Sequence, residues 1–525
     1  MRSTFHGLET AKRAMFAQQS AISTTGHNIA NANTPGYTRQ RVNLQQTEAY
    51  PAPSMNRPQI PGQLGTGVEA GSIQRVREEF LDTQYRGENN KLGYWQARTD
   101  ALSKMEDIMN EPSDSGLSAV MGQFWQSLQD LSVNPENEGA RSVVLQRGEA
   151  VVDTFHYLHD SLSSIQKDFG NQVDVTLKEV NSILEQISGL NQQISEIEPN
   201  GYLPNDLYDE RDRLVDQLSE HINVKVEKIP PGGNALAIAE GAYKISLMTD
   251  GGSVELVNGK EFNKIGVTNG TDIDGDGLGD QVDGPVSSFT VNGKTIAVEN
   301  FSQGNLKGLA EAYGYSKGGE TEGIYAGMLN DLDKLAYTFG KLFNDVHSRG
   351  YDLEGETGTD FFDGLGQVEG AAASIQMGSL SVKDIAASTE QANGGDGTHA
   401  GNLANVPSML LNQPHKLAGS FNPEVSIDPQ SVSSEIKTGT INSFYEGIIG
   451  GLGVDAQQAL RMAKNSEVLT QSVDTNRQSI SSVSLDEEFT NLIKYQHAYN
   501  AAARNITVVD EMLDKIINGM GVVGR

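Results

Sequence analysis

Aspartate side chains recur between residues 272 and 283 at the spacing of oxygen ligands in a calcium-binding loop of the EF-hand type. Such loops take side-chain oxygens at positions 1, 3, 5, 9 and 12, a backbone carbonyl at position 7 and a glycine for the sharp turn at position 6. Gly277 stands at that sixth position. The ligands predicted in this way are Asp272, Asp274, Asp276, Leu278, Asp280 and Asp283.

Two features of this loop depart from the EF-hand pattern. Position 12 is Asp283 instead of the usual glutamate, and no helices are predicted on either side of the loop. An acidic loop that is merely solvated, in a protein that is acidic throughout, is the other interpretation. The sequence therefore does not decide between a calcium site and a solvated loop, and calcium is the ion that it suggests. It indicates no cofactor that the protein requires.

The segment from Gly314 to Gly318 matches the G-x-S-x-G pattern of a hydrolase nucleophile elbow, with Ser316 as the nucleophile. That elbow needs a strand before the serine and a helix after it. Here residues 305–313 have a helical pattern and a glycine-rich turn follows, so the order is reversed. We therefore predict a loop that ends a helix.

Two histidines, His156 and His159, lie three residues apart near acidic residues, which is not the H-E-x-x-H spacing of a zinc protease. A solvated or interfacial helix face explains them better. Cysteine is absent from the chain, which excludes disulfides, thiolate metal sites and cysteine nucleophiles. No catalytic residues are predicted, and we do not expect an enzyme.

The bulk composition limits the partners that the chain can take. Its 525 residues exceed what one hydrophobic core usually serves, so three or four domains are expected. The formal net charge of -30 repels phosphate backbones, which makes nucleic acid an unfavourable partner. No run of about 18 apolar residues suggests membrane insertion, and the N-terminus lacks the apolar centre of a cleavable secretory signal.

Apolar residues recur every seven positions at both ends of the chain, which predicts amphipathic helices that bury one face against a partner. At the C-terminal end Ser484 and Glu487 also predict a capping box at the start of the helix. The predicted assembly residues are Leu8, Met15, Ile22 and Ile29 in the first helix, and Leu485, Leu492, Tyr499, Ile506, Leu513 and Met520 in the last.

Between these ends, the character of the chain changes from helical to β-rich and back. We predict a multidomain α+β fold in which the terminal helices pair as an α-helical coiled coil, with a helical rod domain and a β-rich outer domain inserted in the middle. Asn-Gly pairs at Asn258 and Asn292 predict hairpins in the β-rich part. The predicted segments are 1–90 (first helix and extended segment), 91–223 (helical rod), 224–320 (β-rich, with the acidic loop), 321–440 (return to the rod with a mixed insertion) and 441–525 (last helices).

Several stretches resemble one protein family. The string NIANANTPGYTRQ, from Asn28 to Gln40, is similar to the N-terminal motif of flagellar rod, hook and hook-associated proteins, and its last four residues are most like hook-associated members. The segment from Ser484 to Gly519 is similar to the matching C-terminal motif of the same family. Interior blocks that also resemble it are WQSLQDLSVNPENEGAR from Trp125, NDLYDERDRLVDQLS from Asn205 and NDVHSRGYDLEGETGTDFF from Asn344.

The resemblance implies a structural subunit of the bacterial flagellum that polymerises at the hook–filament junction, joining the flexible hook to the filament and allowing filament assembly. Its implied partners are copies of itself, the hook protein, the next hook-associated protein on the filament side, and an export chaperone that holds the C-terminal helix. The implied location is extracellular, after type III export without a cleavable signal peptide.

Three other interpretations remain open at this stage. From periodicity alone, both terminal faces could close within a monomeric helical bundle. The chain could also be another axial subunit, such as a hook or rod protein, although the long interior blocks argue against that. A cell-wall hydrolase carried on flagella is the third, and it lacks a catalytic constellation.

Overall fold

The computed structural model describes residues 5–55, 58, 61–111, 113, 116–268, 270–272, 278–279, 281–391, 393–421, 423–433 and 435–519. The chain divides into two compact units. Unit 1 comprises residues 1–89, 181–264 and 467–525, and unit 2 comprises residues 90–180 and 265–466. Both ends of the sequence therefore belong to the same unit.

Most of the described chain is helical. The helices are α1 (Phe5–Ala30), α2 (Glu79–Met109), α3 (Leu117–Val133), α4 (Glu138–Ile197), α5 (Asn205–His221), α6 (Asn305–Tyr313), α7 (Ile324–His347), α8 (Ala371–Ser374), α9 (Thr398–Ala404), α10 (Pro429–Val432), α11 (Ile441–Ser481) and α12 (Leu485–Asp514). Among the described residues, no helix is both long and apolar enough to cross a membrane.

The strands are short and form small antiparallel sheets. They are β1 (Gln40–Gln46), β2 (Val68–Arg75), β3 (Val224–Ile229), β4 (Ala242–Thr249), β5 (Gly252–Asn258), β6 (Glu261–Phe262), β7 (Ile265–Val267), β8 (Phe289–Val291), β9 (Lys294–Ile296), β10 (Tyr315–Lys317), β11 (Glu320–Glu322), β12 (Phe362–Asp363), β13 (Gln376–Met377), β14 (His415–Lys416) and β15 (Ser426–Ile427).

In unit 1, the first and last helices of the chain pack against each other. A Cβ added at Gly7 would lie 3.7 Å from Val509, and the Asn28 amide lies 3.1 Å from the Glu488 carboxylate. Asn28 lies 21 residues after Gly7 on α1, whereas its partner Glu488 lies 21 residues before Val509 on α12. The two helices are therefore antiparallel. The hairpin β1–β2 packs on α1 as well.

The strands predicted as one β-rich segment form two sheets in different units. Strands β3 to β6 build a four-stranded sheet in unit 1, and β7 to β9 build a three-stranded sheet in unit 2. Both predicted hairpins are present. The turn between β8 and β9 has positive φ at Asn292 and Gly293, which is the two-residue geometry that an Asn-Gly pair favours.

The core of unit 2 contains a cluster of aromatic rings from α3, α4, α7 and strand β12 with the residue before it. Neighbouring ring centroids in this cluster lie 4.9–6.4 Å apart, within the range of favourable aromatic pairs. Its members are Phe124, Trp125, Phe155, Phe339, Phe343, Phe361 and Phe362. Two histidines of unit 2 are fully buried, His347 at the border of this cluster and His399 beside Phe421, and burial lowers the pKa of each to about 4.

Because these two histidines are buried, we expect acid to lower the free energy of unfolding of unit 2. His347 Nδ1 donates to the Thr359 carbonyl at 2.6 Å and Nε2 accepts from the Ala386 N–H at 3.0 Å. A second proton would have to bind at Nε2, where it would break the hydrogen bond from Ala386. Because the unfolded chain binds protons near pH 6.5 and the folded chain only near pH 4, stability falls as the pH falls through this window. We expect a loss of about 2 kcal/mol per histidine between pH 6.5 and 4.5.

Urea unfolding of the full chain at those two pH values measures this loss. His347→Gln can keep one donor and one acceptor but does not titrate, so its difference between the two pH values should be smaller by about 2 kcal/mol. An equal pH dependence in the variant and the parent protein would contradict the prediction.

The predicted fold class is confirmed: the chain is a multidomain α+β protein whose terminal helices pair. The proposed boundaries of the five segments stay a prediction. The two units divide the chain differently, because the segments 91–223, 224–320 and 441–525 each contribute residues to both units. Short strands have the same alternating pattern of apolar and polar residues in either unit. The sequence therefore could not assign the two sheets to different units.

Candidate functional site

The contact between α1 and α12 joins small side chains to large ones. The deeply buried residues of α1 are small or short, and Ala21 is only 1% exposed. They are Ala11, Ala17, Ala21, Thr24, Thr25 and Asn28. The least exposed face of α12 carries half-buried large residues such as Tyr495 and Tyr499, together with the buried Ala502, at the three- and four-residue spacing of a helical seam. Small residues let the two helices approach closely.

The predicted assembly residues take different places in this seam. Those of α1 (Leu8, Met15, Ile22 and Ile29) are all half-buried and flank the small residues, which the heptad analysis missed. Those of α12 that are half-buried are Leu492, Tyr499, Ile506 and Leu513. Leu485 is 43% exposed, and Met520 lies outside the described residues. Their part in assembly stays a prediction.

The helix pair leaves large apolar side chains uncovered in the single chain. Phe489 is 48% exposed and Ile493 is 54% exposed, although both belong to a helix that already has a partner. Further exposed apolar residues of α1 and α12 are Phe5, Phe16, Val508 and Met512. Several large apolar side chains left exposed on one helix pair are typical of a protein–protein contact site.

One end of the seam is closed by Asn28, whose amide uses all its hydrogen-bonding positions. Its Oδ1 accepts from the Tyr37 hydroxyl at 2.8 Å and from the Gln40 N–H at 3.0 Å. Its Nδ2 donates to the Gln40 carbonyl at 2.8 Å and to the Glu488 carboxylate at 3.1 Å. The loop after α1 therefore holds this amide in one orientation. Burial and the nearby carboxylates raise the pKa of Tyr37.

Arg39 is the second residue of the N-terminal part that binds the Glu488 carboxylate. Its Nε lies 2.8 Å from Glu488 and its Nη1 lies 2.8 Å from Glu487, while its backbone N–H donates to the Ser481 carbonyl at 2.9 Å. The predicted capping box is wrong: Ser484 caps α12 without a side-chain hydrogen bond, because Glu487 pairs with Arg39 instead. We call Asn28, Arg39 and Glu488 the terminal clasp.

A second polar cluster in unit 1 lies on one face of α5. Three aspartates at three- and four-residue spacing, Asp209, Asp212 and Asp216, face arginines from other elements. These arginines are Arg75, Arg77, Arg86 and Arg477. The NDLYDERDRLVDQLS block, which resembles the family but had no predicted role, is thus a buried charge ladder.

Asp212 lies at the centre of this ladder. It is buried, and its carboxylate lies 2.9 Å from Arg75, 3.0 Å from Arg77 and 3.1 Å from Arg86. Burial alone would raise the pKa of Asp212, but the surrounding arginines outweigh it and hold this pKa well below its usual range. The side chain is therefore ionised and fully paired.

The acidic loop is described only in part. Asp272, Leu278 and Asp283 lie among the described residues, whereas Asp274, Asp276 and Asp280 lie outside them. The described part of the chain contains no group of three or more acidic or histidine side chains placed to hold a metal ion. Within the loop, the Val282 N–H donates to the buried Asp174 of α4 at 2.7 Å.

Calcium binding by this loop stays a prediction, and titration calorimetry on the full chain tests it. We expect binding at roughly millimolar affinity or slightly tighter, as in extracellular calcium modules. Asp274→Ala with Asp276→Ala should abolish the heat of binding, whereas Glu320→Ala with Glu322→Ala, which removes as much charge outside the loop, should preserve it. Absence of any calcium-dependent heat in the parent protein would leave an ordinary acidic loop.

The sequence motifs with catalytic patterns occupy structural positions. Ser316 lies on β10, a short strand that follows α6, so the predicted loop is a strand, and the strand–serine–helix order of a hydrolase is not formed. His156 donates to the Ile375 carbonyl at 2.7 Å, and His159 lies 3.3 Å from Asp160.

Comparison with protein-family models gives three matches. Residues 102–362 match the model described as the flagellar hook-associated protein FlgK helical domain. Residues 8–38 match the flagella basal body rod protein model, and residues 475–519 match the C-terminal model of the flagellar basal body rod FlgEFG proteins. The last two segments include Asn28 and Glu488, respectively.

Among characterised proteins, the chain is 44% identical to flagellar hook-associated protein 1 of Bacillus subtilis over the full length of both chains. It is 26% identical to flagellar hook-associated protein 1 of Escherichia coli, with 97% of this chain and 99% of that protein covered. A solved structure, the flagellar hook junction protein FlgK from Burkholderia pseudomallei, shares the fold at a TM-score of 0.51 and 14% identity, over 76% of this chain and all of that one.

Proposed function

Because the chain belongs to the flagellar hook-associated protein 1 family, we propose that it polymerises at the hook–filament junction and joins the flexible hook to the filament. The observation that supports this most is the pairing of the terminal helices with apolar residues left uncovered. Copies placed side by side can bury those residues, and repeated copies of one contact build rings or helical arrays.

The proposed partners follow from the same surface. Neighbouring copies would cover the exposed side chains of α1 and α12, and the hook protein and the next hook-associated protein would continue the array on either side. Before assembly, an export chaperone would cover the exposed face of α12, where Phe489 and Ile493 lie. Export without a cleavable signal peptide and an extracellular location belong to the same proposal.

Electron microscopy of a strain lacking the gene tests the junction role. We expect hooks without filaments, with flagellin lost to the medium, and recovery of filaments when the full chain is supplied. Normal filaments in the deletion strain would overturn the proposal.

A rod or hook subunit is the second candidate, because the two terminal segments match models of basal-body rod proteins. The match of residues 102–362 to a hook-associated helical domain favours the junction. Loss of the hook itself in the deletion strain would support the second candidate. As a structural family member the chain is also proposed to lack catalysis, and release of peptidoglycan fragments by the purified protein would contradict that.

A further inference from the structure

The repeating pattern of the α1–α12 seam does not by itself define which residues face each other. Alanine and threonine recur along the buried face of α1, and large half-buried side chains recur along α12, with Ala502 buried among them. A shift of α12 by one heptad, about 10 Å, would place Leu492 or Ile506 instead of Tyr499 at the level of Ala17. Apolar packing of this kind specifies that the helices pair, but it discriminates weakly between registers.

One polar contact breaks this repetition. The structure describes every residue of α1 and α12. Among the buried residues of these two helices, Glu488 is the one with a charged side chain, and it is 2% exposed. Its two carboxylate oxygens are used by different partners: Oε1 accepts from Arg39 and Oε2 accepts from Asn28. We infer that Glu488 sets the register of α12 against α1.

The amide of Asn28, one of the two partners of Glu488, is oriented by residues outside α12. Asn28 is held by Tyr37 and by both backbone groups of Gln40, so one N–H of its amide points in a set direction. Arg39 lies directly before β1, whose hairpin packs on α1. Asn28 and Arg39 therefore both come from the N-terminal part of the chain, and together they donate to one carboxylate of α12.

A shift of α12 along α1 would break the contacts of Glu488 with Asn28 and Arg39. A shift of seven residues in one direction would bring Glu488 to the level of Ala21, where a carboxylate would be buried without a cation. A shift in the other direction would bring Tyr495 to the level of Asn28 and leave its amide proton without an acceptor. A single polar residue in an otherwise apolar helical seam is a known way to specify register.

Glu487 is a matched control within the same turn. It also lies 2.8 Å from Arg39, but its side chain is 62% exposed whereas that of Glu488 is 3% exposed. An exposed ion pair discriminates little between registers because water replaces the partner at small cost. The inference concerns the single chain, so it goes beyond the proposed junction role and does not depend on it.

Disulfide trapping reads the register directly, because the natural chain has no cysteine. Gly7→Cys with Val509→Cys reports the observed register, in which a Cβ added at Gly7 lies 3.7 Å from the Val509 side chain. Gly7→Cys with Ile516→Cys, or with Ala502→Cys, reports a shift of one heptad in either direction. Each pair is oxidised in the dilute, full-length protein and quantified after cleavage between the helices.

With Glu488 present, we expect a cross-link at Val509 and background at the other two positions. Glu488→Leu should keep the helices paired but reduce the Val509 cross-link to about a third, as three registers compete, with new cross-links at Ile516 or Ala502. Glu487→Leu should leave the pattern unchanged. An unchanged pattern in Glu488→Leu, loss of all three cross-links in it, or the same shift in Glu487→Leu would each overturn the inference.

Discussion

Replacing Leu492 and Ile506 together by aspartate is expected to abolish assembly at the junction. Both side chains lie on the face of α12 that packs towards α1, and each is half-buried. A carboxylate at each half-buried site loses part of its hydration, which costs about 2 kcal/mol or more per site. Cells that carry the double variant should therefore make hooks but no filaments, as counted by electron microscopy.

The control places the same two charges on the exposed side of the same helix. Gln496→Asp with Asn505→Asp adds identical charge to α12 at exposed positions and should preserve filaments. Neither pair belongs to unit 2, so the protease resistance of unit 2 should be unaffected in both variants. Normal filament numbers in Leu492→Asp with Ile506→Asp would show that the seam is not the assembly element.

Replacing Asp212 by alanine should destabilise unit 1 strongly. The change removes the carboxylate that Arg75, Arg77 and Arg86 share, and it leaves three buried or nearly buried guanidinium groups with fewer partners. Removing one member of a buried ionic group costs about 3–5 kcal/mol. The free energy of unfolding, measured in urea at neutral pH with a probe in unit 1, gives the loss.

Glu210→Ala is the matched control on α5. Its partner Arg213 lies on the same helix, and the Glu210 side chain is 45% exposed. Exposed pairs of this kind contribute about 0–1 kcal/mol. If Asp212→Ala cost no more than Glu210→Ala, the charge ladder of α5 would not be a stabilising element.

The sequence predicted the terminal helices well and their contact face only in part. On α12 the predicted heptad residues Leu492, Tyr499 and Ile506 are half-buried, and their part in assembly stays a prediction. On α1 the deeply buried positions are alanine and threonine, which a search for large apolar residues passes over. The absence of bulky side chains at Ala17 and Ala21 was the available signal.

The polar contacts were beyond sequence reasoning for a different reason. Glu488 and Asn28 are 460 residues apart in the chain, and no local pattern links them. Ser484 and Glu487 did satisfy a local pattern, but the tertiary contact with Arg39 took precedence. The acids of α5 recur at helical spacing, yet only the fold shows that arginines bury them.

The location of the chain in intact flagella tests the proposed junction role most directly. A single cysteine at Glu356, an exposed position of unit 2, provides a unique site for a gold label in this cysteine-free chain. Electron microscopy of flagella carrying the labelled chain should show gold in one narrow band between hook and filament. Label along the hook, in the rod or along the filament would contradict the proposed function.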